Sequence, residues 1–160
     1  MKPTRSCDVY IDGASRGNPG PAAVGVVFFD LPAPGSSRQA GDHAKPIREF
    51  RAYLGETTNN VAEYLALLYA MQEATQLGLA ALRVKTDSEL LARHITGQYR
   101  VRDPQLRLFY DVIRHHAKGF QEFSITHVPR TDNRFADRLA NQALDEHAMS
   151  RVLSQPSTAS

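Results

Sequence analysis

The chain has 160 residues, 42% of them hydrophobic, which is the size and composition of one domain with one sizeable core. A net charge of only +2 and a pI near 8.8 exclude a strongly basic or acidic protein, so any attraction for a polyanion must come from local clustering. The single cysteine, Cys7, excludes an internal disulfide and a cysteine-based zinc site; it fits a reducing compartment, and the cytoplasm is the expected location. No apolar run reaches membrane-span length and none precedes the first strand-like segment, so no membrane partner or export is expected, and the chain is expected to act as a monomer.

Residues 7–12 alternate Cys7, Val9 and Ile11 with Asp8, Tyr10 and Asp12, which predicts a half-buried strand ending at Asp12. The glycines and prolines of 13–21 predict a tight turn, and 22–30 a buried strand, so the two form a hairpin. Residues 31–47, rich in Pro, Gly and Ser, read as a long surface connection, and 48–55 as a third strand. Capping side chains at 57–60 announce a helix from Val61 to Gln76, closed by Gly78. A strand at 82–87 ends at Asp87, and Ser88 opens a short helix. Asp103-Pro104 starts a helix over 103–119, 123–129 is a fifth strand, and 131–149 is an amphipathic helix with Phe135, Ala136, Leu139, Ala140, Ala143 and Leu144 on one face. Three leading strands followed by alternating helices and strands imply one mixed α/β sheet flanked by helices.

Two strands predicted to end in aspartates matter because sites in open α/β sheets gather beyond strand ends. Glu63 shares a helical row with Leu67, Ala70 and Ala74, so it lies on the sheet-facing stripe at the helix's first turn. Asp137 sits beside Ala136 and Ala140, near the start of its helix. Four acids thus have the means to converge. Converging carboxylates repel unless protons or cations neutralise them, and their oxygens suit hard ions such as Mg²⁺ or Mn²⁺. Two such ions can activate a water and stabilise the leaving oxygen in an in-line displacement at a phosphodiester. Taken singly, each aspartate is more simply a surface residue or a cap; the sequence around them separates the readings.

Tyr10-Ile-Asp-Gly-Ala-Ser-Arg-Gly-Asn-Pro-Gly-Pro, Thr57-Thr-Asn-Asn-Val-Ala-Glu-Tyr, Thr86-Asp-Ser and Asn133-Arg-Phe-Ala-Asp-Arg-Leu-Ala-Asn together closely resemble type 1 ribonuclease H, over roughly residues 7–147. The resemblance implies the ribonuclease H fold, α/β with a five-stranded mixed sheet of three antiparallel strands and then parallel ones. A single domain over 1–149 is expected, with 150–160 as a disordered tail. It implies that Asp12, Glu63, Asp87 and Asp137 are catalytic metal ligands for two Mg²⁺ or Mn²⁺ ions. Asp12 looks shared by both ions, Glu63 and Asp87 serve one, and Asp137 the other. The implied partner is an RNA–DNA hybrid whose RNA strand is cut to leave a 5′-phosphate and a 3′-hydroxyl. Gly17, Asn18, Asn59 and Asn60 match positions that meet the RNA strand across the minor groove, and Thr58 a position that contacts a DNA phosphate. The same residues also suit local work, the glycine in the turn and Thr58 or Asn59 in the cap.

The chain departs from the better-known bacterial form in two places. Only Arg100-Val-Arg-Asp separates the helices near 88–99 and 103–119, so the basic helix and handle loop are missing; Arg100, Arg102 and Arg107 are candidate replacements, or simply a solvated face. His-Val-Pro-Arg-Thr-Asp-Asn, 127–133, replaces a longer loop that carries a product-release histidine; His127 is read as structural, and Arg130 or Arg134 as able to approach the cleaved phosphate. The short form resembles the archaeal-like branch of the family, which makes double-stranded RNA a possible side substrate. Glu89 is expected to point away from phosphates, and the remaining histidines, His115 and His116 among them, toward solvent. The main rival, a non-catalytic module of the same fold that binds RNA or hybrids, gives no reason for four clustered acids.

Overall fold

The computed structural model describes residues 6–31 and 45–154. In chain order they form β1 (Ser6–Ser15), β2 (Gly20–Asp30), β3 (Arg48–Thr57), α1 (Asn59–Gln76), β4 (Ala81–Thr86), α2 (Glu89–Ile95), α3 (Pro104–Ala117), β5 (Glu122–His127), a 3-10 turn (Arg130–Asp132) and α4 (Arg134–Ser154). The five strands make one sheet in the order β3-β2-β1-β4-β5. β1, β2 and β3 pair antiparallel, whereas β4 runs parallel to β1 and β5 parallel to β4, so the expected mixed sheet is present.

The apolar patterning explains the layers. Cys7, Val9 and Ile11 of β1 and Val24, Val26 and Phe28 of β2 join Leu67, Ala70 and Met71 of α1 in the main core. The opposite face of β2 meets α4, with Ala23 against Ala143 and Leu144 and Val27 and Phe29 against Leu139. A strand buried on both faces needs a near-continuous apolar run, which is what residues 22–29 provide. Each large side chain fully removed from water contributes about 1.5–3 kcal/mol, so this core can support a few unfavourable charges at its edge. Gly25 makes the α4 contact possible: a Cβ there would lie 2.1 Å from the Ala136 carbonyl oxygen.

Several expected boundaries move. β1 continues past Asp12 because Gly13, Ala14 and Ser15 keep pairing with Val24, Ala23 and Ala22. The Arg16 N–H, donating to the Pro21 carbonyl at 2.8 Å, then closes the hairpin, and only 16–19 remains as the turn. α1 starts two residues early, at Asn59, since the Thr58 hydroxyl already accepts the Val61 N–H at 3.2 Å. Its end is the expected glycine cap, with Gly78 at φ +70° and Leu79 and Gly78 N–H groups donating to Ala74 and Thr75. α4 begins at Arg134, after the 3-10 turn, and Phe135 lies off its buried stripe, 49% exposed and edge-on to Phe29.

The expected tail is also corrected, because α4 runs on to Ser154 rather than stopping at Met149. Residues 150–153 hold no helix breaker, and the next proline is Pro156. Residues 155–160 lie outside the described ones, as does most of the 31–47 connection. His115 and His116 are exposed as expected, His127, read as structural, is exposed as well, and His94 is buried. It shares the buried stripe of α2 with Leu91 and Ile95 and meets the Tyr64 hydroxyl through Nδ1 at 2.6 Å. Burial holds the His94 imidazole below its ordinary pKa. Among the described residues no helix is long and apolar enough to cross a membrane.

Candidate active site

The sheet register brings the first two acids together. Ile11 of β1 is opposite Thr86 of β4, the last registered pair, and Asp12 and Asp87 are the next residues of their chains. Glu63 arrives from α1, which can lie this close only because β1 has a glycine there: a Cβ on Gly13 would sit 2.2 Å from the Ala62 carbonyl carbon and 2.4 Å from the Glu63 nitrogen. The same Gly13 donates its N–H to Glu63 Oε2 at 3.2 Å. Carboxylate oxygens of Asp12, Glu63 and Asp87 lie within 4.8 Å of one another. Asp137, in the first turn of α4, completes the wall of a cavity of about 470 Å³ that all four acids line, together with Ser15, Arg16, Asn59, Ser88, Arg130 and Asn141.

The electrostatics show how costly this convergence is. Burial, then the Asp87 and Asp137 charges, push the Asp12 carboxyl from its ordinary 3.8 up to about 8. Burial with Asp12 and Asp87 drives Glu63 upward, opposed by the Gly13 N–H. Asp87 is raised chiefly by burial, with the nearby Arg130 guanidinium pulling the other way. Asp12 faces both Asp137 and Glu63, and each neighbouring carboxylate disfavours its charged form. A site that holds protons only through repulsion and desolvation is relieved by divalent cations, and an all-oxygen donor set fits Mg²⁺ or Mn²⁺.

One buried residue braces two of the acid-bearing segments and faces a third. Asn133, fully buried, donates its Nδ2 to the Ile11 carbonyl at 2.8 Å, and its amide favours the charged form of Asp87. Its own carbonyl accepts the Asp137 N–H at 3.1 Å. The sequence places Asn133 in a motif without giving it a role; an asparagine four residues before a helical ligand is the signal that was available.

The residues matched to substrate contacts sit around the mouth. Gly17 and Asn18 lie exposed in the β1–β2 turn, and the Asn18 side-chain oxygen accepts the Asn59 N–H at 3.1 Å, which ties that turn to the start of α1. Asn59 and Asn60 are exposed, Asn59 on the cavity wall, while the Thr58 hydroxyl is engaged as the helix cap. Arg130 lines the cavity with its guanidinium 3.9 Å from Asp137; Arg134, the alternative, does not line it. Glu89 is exposed and paired with Arg93 at 2.8 Å. Of the candidate basic residues, Arg107 pairs with Asp111 along α3 at 3.2 Å, and Arg100 and Arg102 are exposed.

Comparison with known proteins gives one answer. Residues 10–143 match the protein family described as reverse transcriptase-like. The chain is similar to the solved ribonuclease H1 of Halobacterium salinarum, with 42% identity over 88% of this chain and 98% of that one and a TM-score of 0.78. It is similar to the N-terminal ribonuclease H domain of Rv2228c from Mycobacterium tuberculosis, with 35% identity, 92% and 99% coverage and a TM-score of 0.80. LC11-RNase H1, solved in complex with an RNA/DNA hybrid, is 37% identical over 89% of this chain and 99% of that one, with a TM-score of 0.77. The chain spans 63% of the length of the curated Halobacterium ribonuclease HI and 36% of the curated bifunctional protein Rv2228c. By its fold, its strand order and these similarities, the chain belongs to the type 1 ribonuclease H family.

Proposed function

We propose that this protein is an endoribonuclease that hydrolyses the RNA strand of RNA–DNA hybrids. The observation that carries the reading is the convergence of Asp12, Glu63 and Asp87 within 4.8 Å in a cavity that Asp137 closes. Asp12, Glu63 and Asp87 would hold one divalent ion, Mg²⁺ or Mn²⁺, and Asp12 with Asp137 a second. Bound there, such ions supply an activated water and charge neutralisation at the leaving oxygen. The chain's own residues do the rest. The sheet register and Gly13 fix the carboxylates, so little reorganisation is needed when substrate arrives. Water adds to phosphorus, the bond to the 3′-oxygen breaks, and that oxygen leaves with a proton. The products are a 5′-phosphate and a 3′-hydroxyl.

The exposed turn of Gly17 and Asn18, with Asn59 and Asn60, offers amide donors and acceptors beside the carboxylates, which suits reading 2′-hydroxyls across a wide minor groove. Asn18 spends its side-chain oxygen on the Asn59 N–H, so its part is to hold the two RNA-facing segments together. Thr58 at the helix cap is placed to meet a DNA-strand phosphate beside the α1 N-terminus. Arg130, exposed at the mouth, is the group that meets the scissile or cleaved phosphate in place of a histidine.

The test is cleavage of an end-labelled hybrid beside double-stranded RNA, single-stranded RNA and duplex DNA, in Mg²⁺, in Mn²⁺ and with chelator. Metal-dependent cutting of the hybrid's RNA strand, lost in Asp12→Asn, supports the proposal. Binding of the hybrid without cutting in either metal overturns it in favour of a non-catalytic module.

A further inference from the structure

Asp137 differs from the other three acids in how it is held. Asp12 and Glu63 are buried and fixed by strand register and by a backbone N–H, whereas the Asp137 side chain is one-third exposed. Beside the Arg130 guanidinium at 3.9 Å, its support comes from side chains along one stripe of α4, where Asp137, Asn141 and Asp145 follow at four-residue spacing. Asn141 Nδ2 donates to the Asp137 carbonyl at 2.9 Å and to its carboxylate Oδ1 at 3.3 Å. Asn141 Oδ1 in turn accepts from Arg16 at 3.4 Å, and Asp145 anchors the same guanidinium at 2.6 Å.

The direction of this relay is set by hydrogen-bonding chemistry. An arginine only donates, so it holds the amide oxygen of Asn141 toward itself and turns the NH₂ toward Asp137. Arg16 also stands directly before Gly17 and Asn18, at the start of the turn. We propose that Arg16 is a positioning residue which, through Asn141, fixes the Asp137 carboxylate and ties it to the turn that meets the RNA strand. The inference rests on the reading of Asp137 and of that turn given under Proposed function. Its consequence is that seating the RNA on the turn and placing the fourth acid are one event.

A double-mutant cycle tests it. Asn141→Ala is expected to lower kcat about ten-fold, the loss for one hydrogen bond to a charged group. Arg16→Ala is expected to lower it about three- to five-fold with KM for the hybrid nearly unchanged, because the contact matters at the reacting site rather than in binding. In a relay the double variant is no worse than Asn141→Ala alone, whereas independent roles multiply to about thirty- to fifty-fold. The second readout needs no catalysis: the Asn141 side-chain amide resonances, assigned by their loss in Asn141→Ala, are expected to move in Arg16→Ala while the melting temperature holds. Multiplying losses, a rise in KM at constant kcat, or unmoved amide resonances would overturn the relay. A wild-type protein that does not cut the hybrid would instead defeat the parent reading, and the amide resonances would still judge the contact.

Discussion

Replacing Asp12 with asparagine should stabilise the protein when no divalent cation is bound. In the unfolded chain the Asp12 carboxyl has its ordinary pKa of 3.8, while in the fold it is pushed up to about 8. The folded state therefore binds the proton more tightly, and stability falls as pH rises through that window. At pH 7 the cost is at most 1.36 kcal/mol for each of about three pH units, a ceiling of about 4 kcal/mol. Relaxation and counter-ions reduce the realised gain from Asp12→Asn to about 1–3 kcal/mol, with each kcal/mol worth about 2–4 °C in a domain of this size. The assay is thermal unfolding in chelator between pH 4 and 9, repeated with Mg²⁺. The variant should match the wild type near pH 4, melt higher at pH 7 and above, and lose most of the wild type's response to Mg²⁺. A variant that melts lower than wild type at pH 8 in chelator would refute the argument, because it would mean that the carboxylate stabilises the metal-free fold.

Gly13→Ala forces a methyl into the α1 backbone, and should cost about 1–3 kcal/mol in urea unfolding and lower kcat by about a hundred-fold through displacement of Glu63. Asn133→Ala leaves the buried Ile11 carbonyl unpaired and should destabilise by about 1–3 kcal/mol, with cleavage falling even at temperatures where the variant is fully folded. Arg130→Ala should leave urea stability within about 0.5 kcal/mol of wild type, since its side chain is 82% exposed, while lowering kcat/KM for the hybrid and weakening its salt dependence.

What could be read from the sequence was whatever depends on short-range pattern. Alternation gave β1 and β4, the apolar run gave β2, and the row of Glu63, Leu67, Ala70 and Ala74 gave the buried face of α1. The expected end of β1 at Asp12 failed because glycine's weak strand preference is outweighed by continued pairing with β2. His94 was misjudged because a polar residue on a seven-residue helix carries no sign of the tyrosine, 30 residues earlier, that receives it. The four acids were legible through their surrounding motifs rather than through charge or spacing. Asn133, Asn141 and Arg16 were not, since their work is defined by partners met only in the fold: Ile11 lies 122 residues from Asn133, and Asn141 lies 125 from Arg16.

The position of the cluster follows from the sheet itself. β1 outruns β4 by four residues, and just where their parallel pairing ends, the next residue of each strand is an aspartate. Backbone groups that would otherwise pair across the sheet are free there to do other work, and the Gly13 N–H turns to Glu63. Three acids are thus held by the main chain and by one buried asparagine, devices that persist whether or not substrate is present. The fourth is held by a chain of side chains, half-buried Asn141 and exposed Arg16, that begins beside the turn proposed to meet RNA. Rigid placement of the first three tolerates their mutual repulsion because the surrounding core is well packed. The fourth adds to that repulsion, since its charge also raises Asp12 and Asp87, so loosening its side-chain support relieves the cluster at the same time as it displaces a carboxylate from the cavity wall.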